Sequence, residues 1–336
     1  MRKRSMFALV VMCILLFSTP QSADASGSAW AVIDAENGRL LKGENEHTRL
    51  PIASLTKMWT AYTFLELLPE NQETIISNEA AAAEGSSIYL EAGSAMKTHD
   101  LLYGLMLRSG NDAAQALAEH AGGSLEGFVY LMNEQASHHG LDQTYFTNPS
   151  GLHNEQHLSS AYDTAKMLYY AMKNPDFRKI ATTVNYPFEN DQGKHSWQNK
   201  HRLLLSEPSA IAGKTGFTKA AGRTLATYFE KDGKSVIVVT LNNGDDWRTH
   251  KHLSQQVFSE YQQYTVVKKG RYQVFPHLTA SIDQPIKMLV SKEEKRNLSN
   301  VLQIPQTDEQ QKEGYWSVYL GKEPVKTVAV SIESDK

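Results

Sequence analysis

The pattern of apolar and polar positions predicts a block of helices that is flanked on both sides by strands. Apolar positions with helical spacing run over residues 54–68, and Pro69 cannot continue that helix. A segment of small and polar residues, 78–87, is typical of a loop. The other predicted helices are residues 100–107, 112–121, 125–139 and 160–173. The strands before this block are residues 29–34 and 39–43, joined by a turn at Glu36-Asn37-Gly38.

The pattern changes after Gly213, where β-rich segments replace helical spacing. Strands from both ends of this region can share one antiparallel sheet with helices packed on it, which is an α/β (α+β) fold. The later strands are predicted over residues 211–218, 223–229 and 235–241, followed by a helix over residues 246–264. Short apolar runs then alternate with polar stretches, which predicts a small all-β module with strands at residues 272–275, 286–290, 316–320 and 325–332. We therefore expect two domains, residues 26–265 and 266–336.

The first 25 residues have the features of a secretory signal. A basic start, Arg2-Lys3-Arg4, precedes an apolar run over residues 6–17 and a small-x-small site that ends at Ala25. We expect cleavage after Ala25; an uncleaved N-terminal anchor is the alternative, although the apolar run is shorter than the roughly 20 residues that span a bilayer. Cys13, the only cysteine, lies in this run, so cleavage would remove disulfides, thiol catalysis and cysteine metal sites together.

Charge gives no indication of a nucleic-acid partner. Removing the signal takes away three of the 34 basic residues and one of the 37 acidic residues, so the net charge moves from −3 to −5. The sequence contains no basic patch of the kind that binds nucleic acid. We also find no C-terminal amphipathic helix with a basic polar face, which leaves membrane association open.

Candidate chemistry begins with Ser54 and Lys57, which open the long predicted helix. Two residues three apart on a helix share one face, so the lysine amine can deprotonate the serine hydroxyl and create a nucleophile without histidine. Acting as a base requires a lysine pKa far below about 10.4, through burial or a second cation such as Lys214. The alternative is a helix-capping serine beside a surface lysine. A second Ser-x-x-Lys, Ser94 to Lys97, lies in a connection where this geometry is not guaranteed.

Two further motifs supply other groups that acyl transfer needs. Ser109-Gly110-Asn111 lies between two predicted helices, where Ser109 could relay a proton to a leaving amine and Asn111 could hold Lys57; an ordinary turn is the alternative. Lys214-Thr215-Gly216 lies on a predicted strand, where a cation and a hydroxyl can bind a free carboxylate. Gly216 allows a substrate backbone to come close. A solvated lysine on an edge strand is the alternative.

His153 and His157 are candidate zinc ligands, because two histidines four residues apart can bind a metal from one helix. The preceding Asn148-Pro149-Ser150-Gly151 indicates a loop, and the intervening glutamate is not in the His-Glu-x-x-His position. We therefore expect no metal and no cofactor.

The three motifs in this order resemble those of penicillin-binding proteins and class A β-lactamases. From about residue 28 to 265, the chain is similar to the low-molecular-mass penicillin-binding proteins, the secreted serine D-alanyl-D-alanine carboxypeptidases. The further segments that carry this resemblance are residues 101–107, 109–114, 146–152, 157–163, 213–218 and 221–222. His201 departs from the family pattern, in which asparagine is more usual.

The resemblance implies a penicillin-recognising, β-lactamase-like transpeptidase fold with a β-rich C-terminal domain. It implies removal of the terminal D-alanine from peptidoglycan pentapeptide stems, on the cell-wall side of the cytoplasmic membrane. It also implies that β-lactam antibiotics acylate the same serine. The implied site comprises Ser54 as nucleophile, Lys57 as base, Ser109 and Asn111 as assistants, Lys214, Thr215 and Gly216 at the substrate carboxylate, and the N–H groups of Ser54 and Phe217 as oxyanion hole.

Two other functions use related sites. A serine β-lactamase would hydrolyse its acyl-enzyme quickly, but class A enzymes need a glutamate-positioned water, and no Glu-x-x-Leu-Asn follows Asn111. A catalytically inactive sensor would bind cell-wall peptide without cleaving it. The intact Ser54, Lys57 and Lys214 oppose that alternative.

Overall fold

The computed structural model of the chain describes residues 27–190, 193–304 and 313–334. The predicted secretory signal, residues 1–25 with Cys13, lies outside the described residues. Within the described ranges, no helix is both long enough and apolar enough to span a lipid bilayer.

The described chain contains both strands and helices. The strands are β1 (Ala29–Asp34), β2 (Leu40–Glu44), β3 (Glu73–Ile75), β4 (Ala95–Lys97), β5 (Asn185–Asn190), β6 (Gly193–Gln198), β7 (Ala210–Thr218), β8 (Gly222–Lys231), β9 (Lys234–Leu241), β10 (Tyr261–Val267), β11 (Gly270–Phe275), β12 (Leu278–Ile282), β13 (Ile286–Ser291), β14 (Leu298–Gln303), β15 (Glu313–Leu320) and β16 (Glu323–Ser334). The helices are α1 (Thr56–Leu67), α2 (Asn78–Ala81), α3 (Thr98–Tyr103), α4 (Asn111–Gly122), α5 (Leu125–His138), α6 (Ala161–Ala171), α7 (Pro175–Ala181), α8 (Leu203–Ser206) and α9 (Asp246–Glu260).

The central feature is a five-stranded antiparallel sheet in the order β2-β1-β9-β8-β7. Strand β1 pairs with β9 over its whole length, from Ala29 opposite Leu241 to Asp34 opposite Val236. Strands from both ends of the peptidase region therefore share one sheet, and the predicted fold class is confirmed. Strand β7 lies at the edge of this sheet, next to the turn that precedes α1.

The two faces of the sheet are covered by different helices because strand side chains alternate in direction. On one face, Ile33 and Val239 belong to the large core that includes α1 and α6. On the other face, Val32 and Val238 pack with Val257 of α9. Helix α1 is buried from Thr56 to Phe64, as expected for a helix that is surrounded by protein on all sides. The turn that carries Ser54 is therefore anchored to a buried helix.

Three local predictions were wrong in part. The predicted loop over residues 78–87 begins with the short helix α2, whose N-terminus is capped by the Ser77 hydroxyl. The helix predicted over residues 100–107 is α-helical only to Tyr103 and continues as a π-helical turn, Gly104–Arg108. Helix α9 ends at Glu260 instead of residue 264, because the following residues pair as β10 with the distant strand β13.

The C-terminal part contains a five-stranded sheet in the order β11-β12-β16-β15-β14, together with the β10–β13 pair. Its all-β character was predicted, and its own core includes Met288 and Val318. It contacts the turn after β1 through buried polar groups. The Asp34 carboxylate accepts a hydrogen bond from Leu289 N at 2.8 Å, and Arg39 pairs with Glu294 at 2.7 Å. The domain division at residue 265 falls within β10 and stays a prediction.

Candidate active site

Ser54 lies in a single 3₁₀ turn, Ala53–Leu55, that leads directly into α1. Ala53 adopts a left-handed backbone conformation with φ of 48°. Lys57 follows in the first turn of α1, and its Nζ lies 3.1 Å from Ser54 Oγ. The structure therefore brings the hydroxyl and the amine within hydrogen-bonding distance.

Lys57 is fully buried and has two further contacts, both to oxygen atoms that can only accept. Its Nζ donates to Asn111 Oδ1 at 2.7 Å and to the Ser150 carbonyl at 2.6 Å. Burial, reinforced by the positive charge of Lys214, holds the pKa of Lys57 well below its usual value. A neutral amine has two hydrogens and one lone pair. Because the two carbonyl groups take both hydrogens, the lone pair is left for the Ser54 hydroxyl proton.

Asn111 is held in the orientation that this arrangement needs. Its Nδ2 donates to the Glu84 carbonyl at 2.5 Å, which leaves Oδ1 for Lys57. Its backbone N–H donates to the Ser86 carbonyl at 2.6 Å. The segment 84–86 passes so close that a Cβ at Gly85 would lie 2.7 Å from Asn111 Nδ2. The predicted loop thus fixes the amide that faces Lys57.

Ser109 and Lys214 form a second polar pair in the site. Ser109 lies between the π-helical turn and α4 with a left-handed backbone, and its Oγ accepts a hydrogen bond from Lys214 Nζ at 3.0 Å. Lys214 Nζ also donates to the Thr215 carbonyl at 2.9 Å. Burial, with the nearby charge of Lys200, lowers the pKa of Lys214 to about 7. Lys214 therefore retains part of its positive charge at neutral pH.

Strand β7 is in close contact with the nucleophile turn. A Cβ added at Gly216 would lie 2.9 Å from Ser54 N and 2.4 Å from Thr224 Oγ1. Thr224 in turn donates to the Ile52 carbonyl at 3.1 Å, which fixes β8 to the same turn. Phe217, next along β7, is 67% exposed. Strand β7 therefore brings the segment from Lys214 to Phe217 alongside the turn that carries Ser54.

Three other sequence features are not among the predicted site residues. Ser94 and Lys97 flank the short strand β4 and are not on a helix, and Ser94 Oγ donates to the Glu91 carbonyl. His153 is exposed, while His157 is buried against Thr56; among residues 27–190, 193–304 and 313–334, no cluster suited to a metal ion occurs. His201 lies fully buried behind β7, with Nε2 2.9 Å from Thr227 Oγ1.

Two groups that the structure places at the site have no role in the sequence-based prediction. The Ser150 carbonyl belongs to a segment that carried the family resemblance, but a backbone carbonyl leaves no side-chain signal. Lys200 adds a positive charge near both buried lysines, and it directly follows Asn199, whose side chain is bonded to the backbone. The Lys200 backbone N–H donates a hydrogen bond to the Leu107 carbonyl, which holds Lys200 near the two buried lysines. That long-range contact has no local sequence pattern.

The fold and this site define a serine hydrolase of the class that includes penicillin-binding carboxypeptidases. A family profile described as D-alanyl-D-alanine carboxypeptidase matches residues 17–245. The chain belongs to this family, whose members are serine D-Ala-D-Ala carboxypeptidases. It is a hydrolase of peptidoglycan metabolism.

Individual relatives agree with this assignment. D-alanyl-D-alanine carboxypeptidase DacF of Bacillus subtilis (strain 168) is 33% identical over 299 residues, which cover 83% of this chain and 76% of the relative. A D-alanyl-D-alanine carboxypeptidase structure from Mycobacterium tuberculosis H37Rv has a TM-score of 0.66 at 30% identity, covering 69% of this chain and 90% of that one. Penicillin binding protein 5 from Haemophilus influenzae shares the fold over 91% of this chain and 96% of its own, with a TM-score of 0.74 at 22% identity.

Proposed function

We propose that the chain is a secreted DD-carboxypeptidase that removes the terminal D-alanine from peptidoglycan stems through an acyl-enzyme on Ser54. The observation that carries the proposal is the buried amine of Lys57, 3.1 Å from Ser54 Oγ, with both of its hydrogens directed to carbonyl groups. Because burial lowers the pKa of Lys57, such an amine can accept the serine proton. The site acts on the cell-wall side of the membrane, and residues 26–265 carry the chemistry.

In the acylation step, the Ser54 hydroxyl gives its proton to Lys57 as Oγ attacks the carbonyl carbon of the penultimate D-alanine. The N–H groups of Ser54 and Phe217 stabilise the resulting oxyanion. The C–N bond then breaks. Ser109 relays the proton that Lys57 accepted from Ser54 to the nitrogen of the leaving D-alanine. Lys214 and Thr215 hold the free carboxylate of the departing D-alanine. Water later hydrolyses the ester and regenerates Ser54.

The same route explains inhibition by β-lactams. Attack of Ser54 on the strained lactam carbonyl opens the ring, and the acyl group stays on the serine because the leaving amine remains attached to it. We therefore assign β-lactam antibiotics as covalent inhibitors and a stem peptide that ends in D-Ala-D-Ala as the substrate.

The test of this function combines two assays on the full chain. D-alanine release from a diacyl-Lys-D-Ala-D-Ala peptide is measured beside covalent trapping and turnover of a labelled penicillin. We expect D-alanine release together with a penicillin adduct that is hydrolysed slowly. Rapid penicillin hydrolysis would identify a β-lactamase, and the absence of both activities would identify a peptide-binding sensor.

A substitution at Gly216 tests the oxyanion hole. A methyl group there would press on Ser54 N and on Thr224 Oγ1, so Gly216→Ala is expected to displace β7 from the nucleophile turn. Loss of one oxyanion donor costs about 10²–10³-fold in rate, and we expect the acylation rate constant for labelled penicillin to fall to that extent. The matched control is Gly244→Ala, because a Cβ at Gly244 meets nothing within 4 Å. Equal acylation rates for the two variants would contradict the assignment.

A further inference from the structure

A chain of buried hydrogen bonds runs behind the nucleophile turn, through residues that the proposed reaction does not use. His157 Nε2 lies 2.8 Å from Thr56 Oγ1, and Thr56 Oγ1 donates to the Ala53 carbonyl at 2.8 Å. Ala53 directly precedes Ser54. We propose that His157 is a positioning residue for the nucleophile, acting through Thr56 on the Ala53 carbonyl. This inference rests on the proposed role of Ser54.

The direction of each hydrogen bond in the chain is fixed by its neighbours. The Thr147 backbone N–H donates to His157 Nδ1 at 3.1 Å, so Nδ1 carries no hydrogen. The hydrogen of the neutral ring is therefore on Nε2, which donates to Thr56 Oγ1. The Thr56 hydroxyl then uses its own hydrogen for the Ala53 carbonyl. The chain thus ends on the peptide bond that joins Ala53 to the nucleophile.

The protonation state of His157 agrees with this direction. The ring is buried, and the charges facing it are those of Lys57 and His153. Burial, with a smaller contribution from Lys57, lowers the pKa of His157 to about 4. The ring is therefore neutral at neutral pH. Protonation of the ring would add a hydrogen to Nδ1, where it would face the Thr147 backbone N–H.

The backbone conformation at Ala53 determines the position of the nucleophile Ser54. Ala53 has φ of 48°, a conformation that non-glycine residues adopt only where the surrounding structure holds them. If the turn relaxes, Ser54 moves with it, because the two residues share a peptide bond. A displacement of about 1 Å from the reactive geometry can cost on the order of 10²-fold in rate. The carbonyl that Thr56 holds is therefore coupled directly to the position of Ser54 Oγ.

The segment that leads to His157 contacts both the nucleophile turn and the base. A Cβ at Gly151 would lie 1.9 Å from the Ala53 carbonyl oxygen, so the segment is packed directly against the turn. The preceding Ser150 carbonyl accepts from Lys57. Asn148 Oδ1 fixes this loop by accepting from the backbone N–H groups of Ser150, Gly151 and Leu152. One segment, residues 147–157, thus positions both groups: His157 acts on the nucleophile turn, and the Ser150 carbonyl holds the base.

The experiment compares two pairs of variants in the full chain. Thr56→Val keeps the shape of the side chain and removes the hydroxyl, whereas Thr56→Ser keeps the hydroxyl. His157→Ala removes the donor, and His153→Ala is the control from the exposed part of the same segment. Labelled penicillin gives the binding constant and the acylation rate constant separately, and thermal unfolding shows that each variant is folded.

We expect Thr56→Val and His157→Ala each to lower the acylation rate constant by about 10–100-fold, with the penicillin binding constant changed less than about threefold. Thr56→Ser and His153→Ala are expected to acylate within about threefold of the parent chain. Because both losses act through one chain, the double variant Thr56→Val/His157→Ala is expected to lose little more than either single variant.

Several results would overturn the inference. One is an acylation rate constant for folded Thr56→Val within threefold of the parent; another is a Thr56→Ser variant that loses as much as Thr56→Val. If His157→Ala does not fold, the nearly isosteric Thr56 pair still decides the question. Failure of the parent chain itself to be acylated would instead refute the proposed function, so the two failures are distinguishable.

Discussion

Replacing Ser54 by alanine is expected to abolish covalent labelling by penicillin and to lower D-alanine release by a factor on the order of 10⁶. The physical reason is that the described surroundings of Lys57 Nζ offer one hydroxyl, that of Ser54, and two carbonyl oxygens that cannot act as nucleophiles. The variant should fold normally, because Ser54 is partly exposed and a methyl group fits where its Cβ already is.

The matched control for Ser54→Ala is Ser94→Ala, in the other Ser-x-x-Lys sequence. Ser94 Oγ donates to the Glu91 carbonyl, and Lys97 is exposed, so neither residue can form an activated pair. We expect parental labelling and parental D-alanine release from this variant. Intact-mass measurement of the penicillin adduct provides the readout. A full adduct on folded Ser54→Ala would place the nucleophile elsewhere and remove the basis of the proposed mechanism.

The pairing of Ser54 with Lys57 could be predicted from sequence because it is local. Residues three apart in a helical segment lie on one face, and the 3₁₀ turn that leads into α1 keeps this relation between Ser54 and Lys57. The other two motifs are different. Ser109 and Lys214 lie 105 positions apart, and only the packing of β7 against the turn and of α4 against α1 brings them to the same site. Their inclusion depended on the family resemblance, since spacing alone left an ordinary turn and a solvated lysine as alternatives.

What the sequence did not predict depends on long-range backbone contacts. The apolar residues of α9 continue at helical spacing to Tyr261, so periodicity extended the helix, whereas pairing with β13 converts those last residues into β10. The Ser150 carbonyl at Lys57 has no side-chain signature. His157 was weighed as a metal ligand from its spacing, and its contact with Thr56 depends on a fold that returns the segment to α1.

The second large loss of activity is expected on replacement of Lys57. An arginine at this position shows whether Lys57 acts as a base or only through a positive charge. Arginine is always positively charged and can donate to Asn111 and the Ser150 carbonyl, but it has no lone pair to accept a proton. If Lys57 is the base, Lys57→Arg and Lys57→Ala should both lower the acylation rate constant by about 10²–10⁴-fold. The control is Lys97→Arg, an exposed lysine in the other Ser-x-x-Lys sequence, which should leave the rate unchanged.

The role of Lys57 as a base also predicts the direction in which the acylation rate of the parent chain changes with pH. Lys57 must be deprotonated to act, so acylation by penicillin should rise with pH through the pKa of Lys57, which burial places well below its usual value. Lys214 must be protonated to hold a carboxylate, so kcat/KM for the D-Ala-D-Ala peptide should fall as the pH rises above about 7. An acylation rate that still increases towards pH 10, or a folded Lys57→Arg variant with more than a tenth of the parental rate, would contradict the neutral amine as base. In either case the buried lysine would act through its charge, and the proton of Ser54 would need another acceptor.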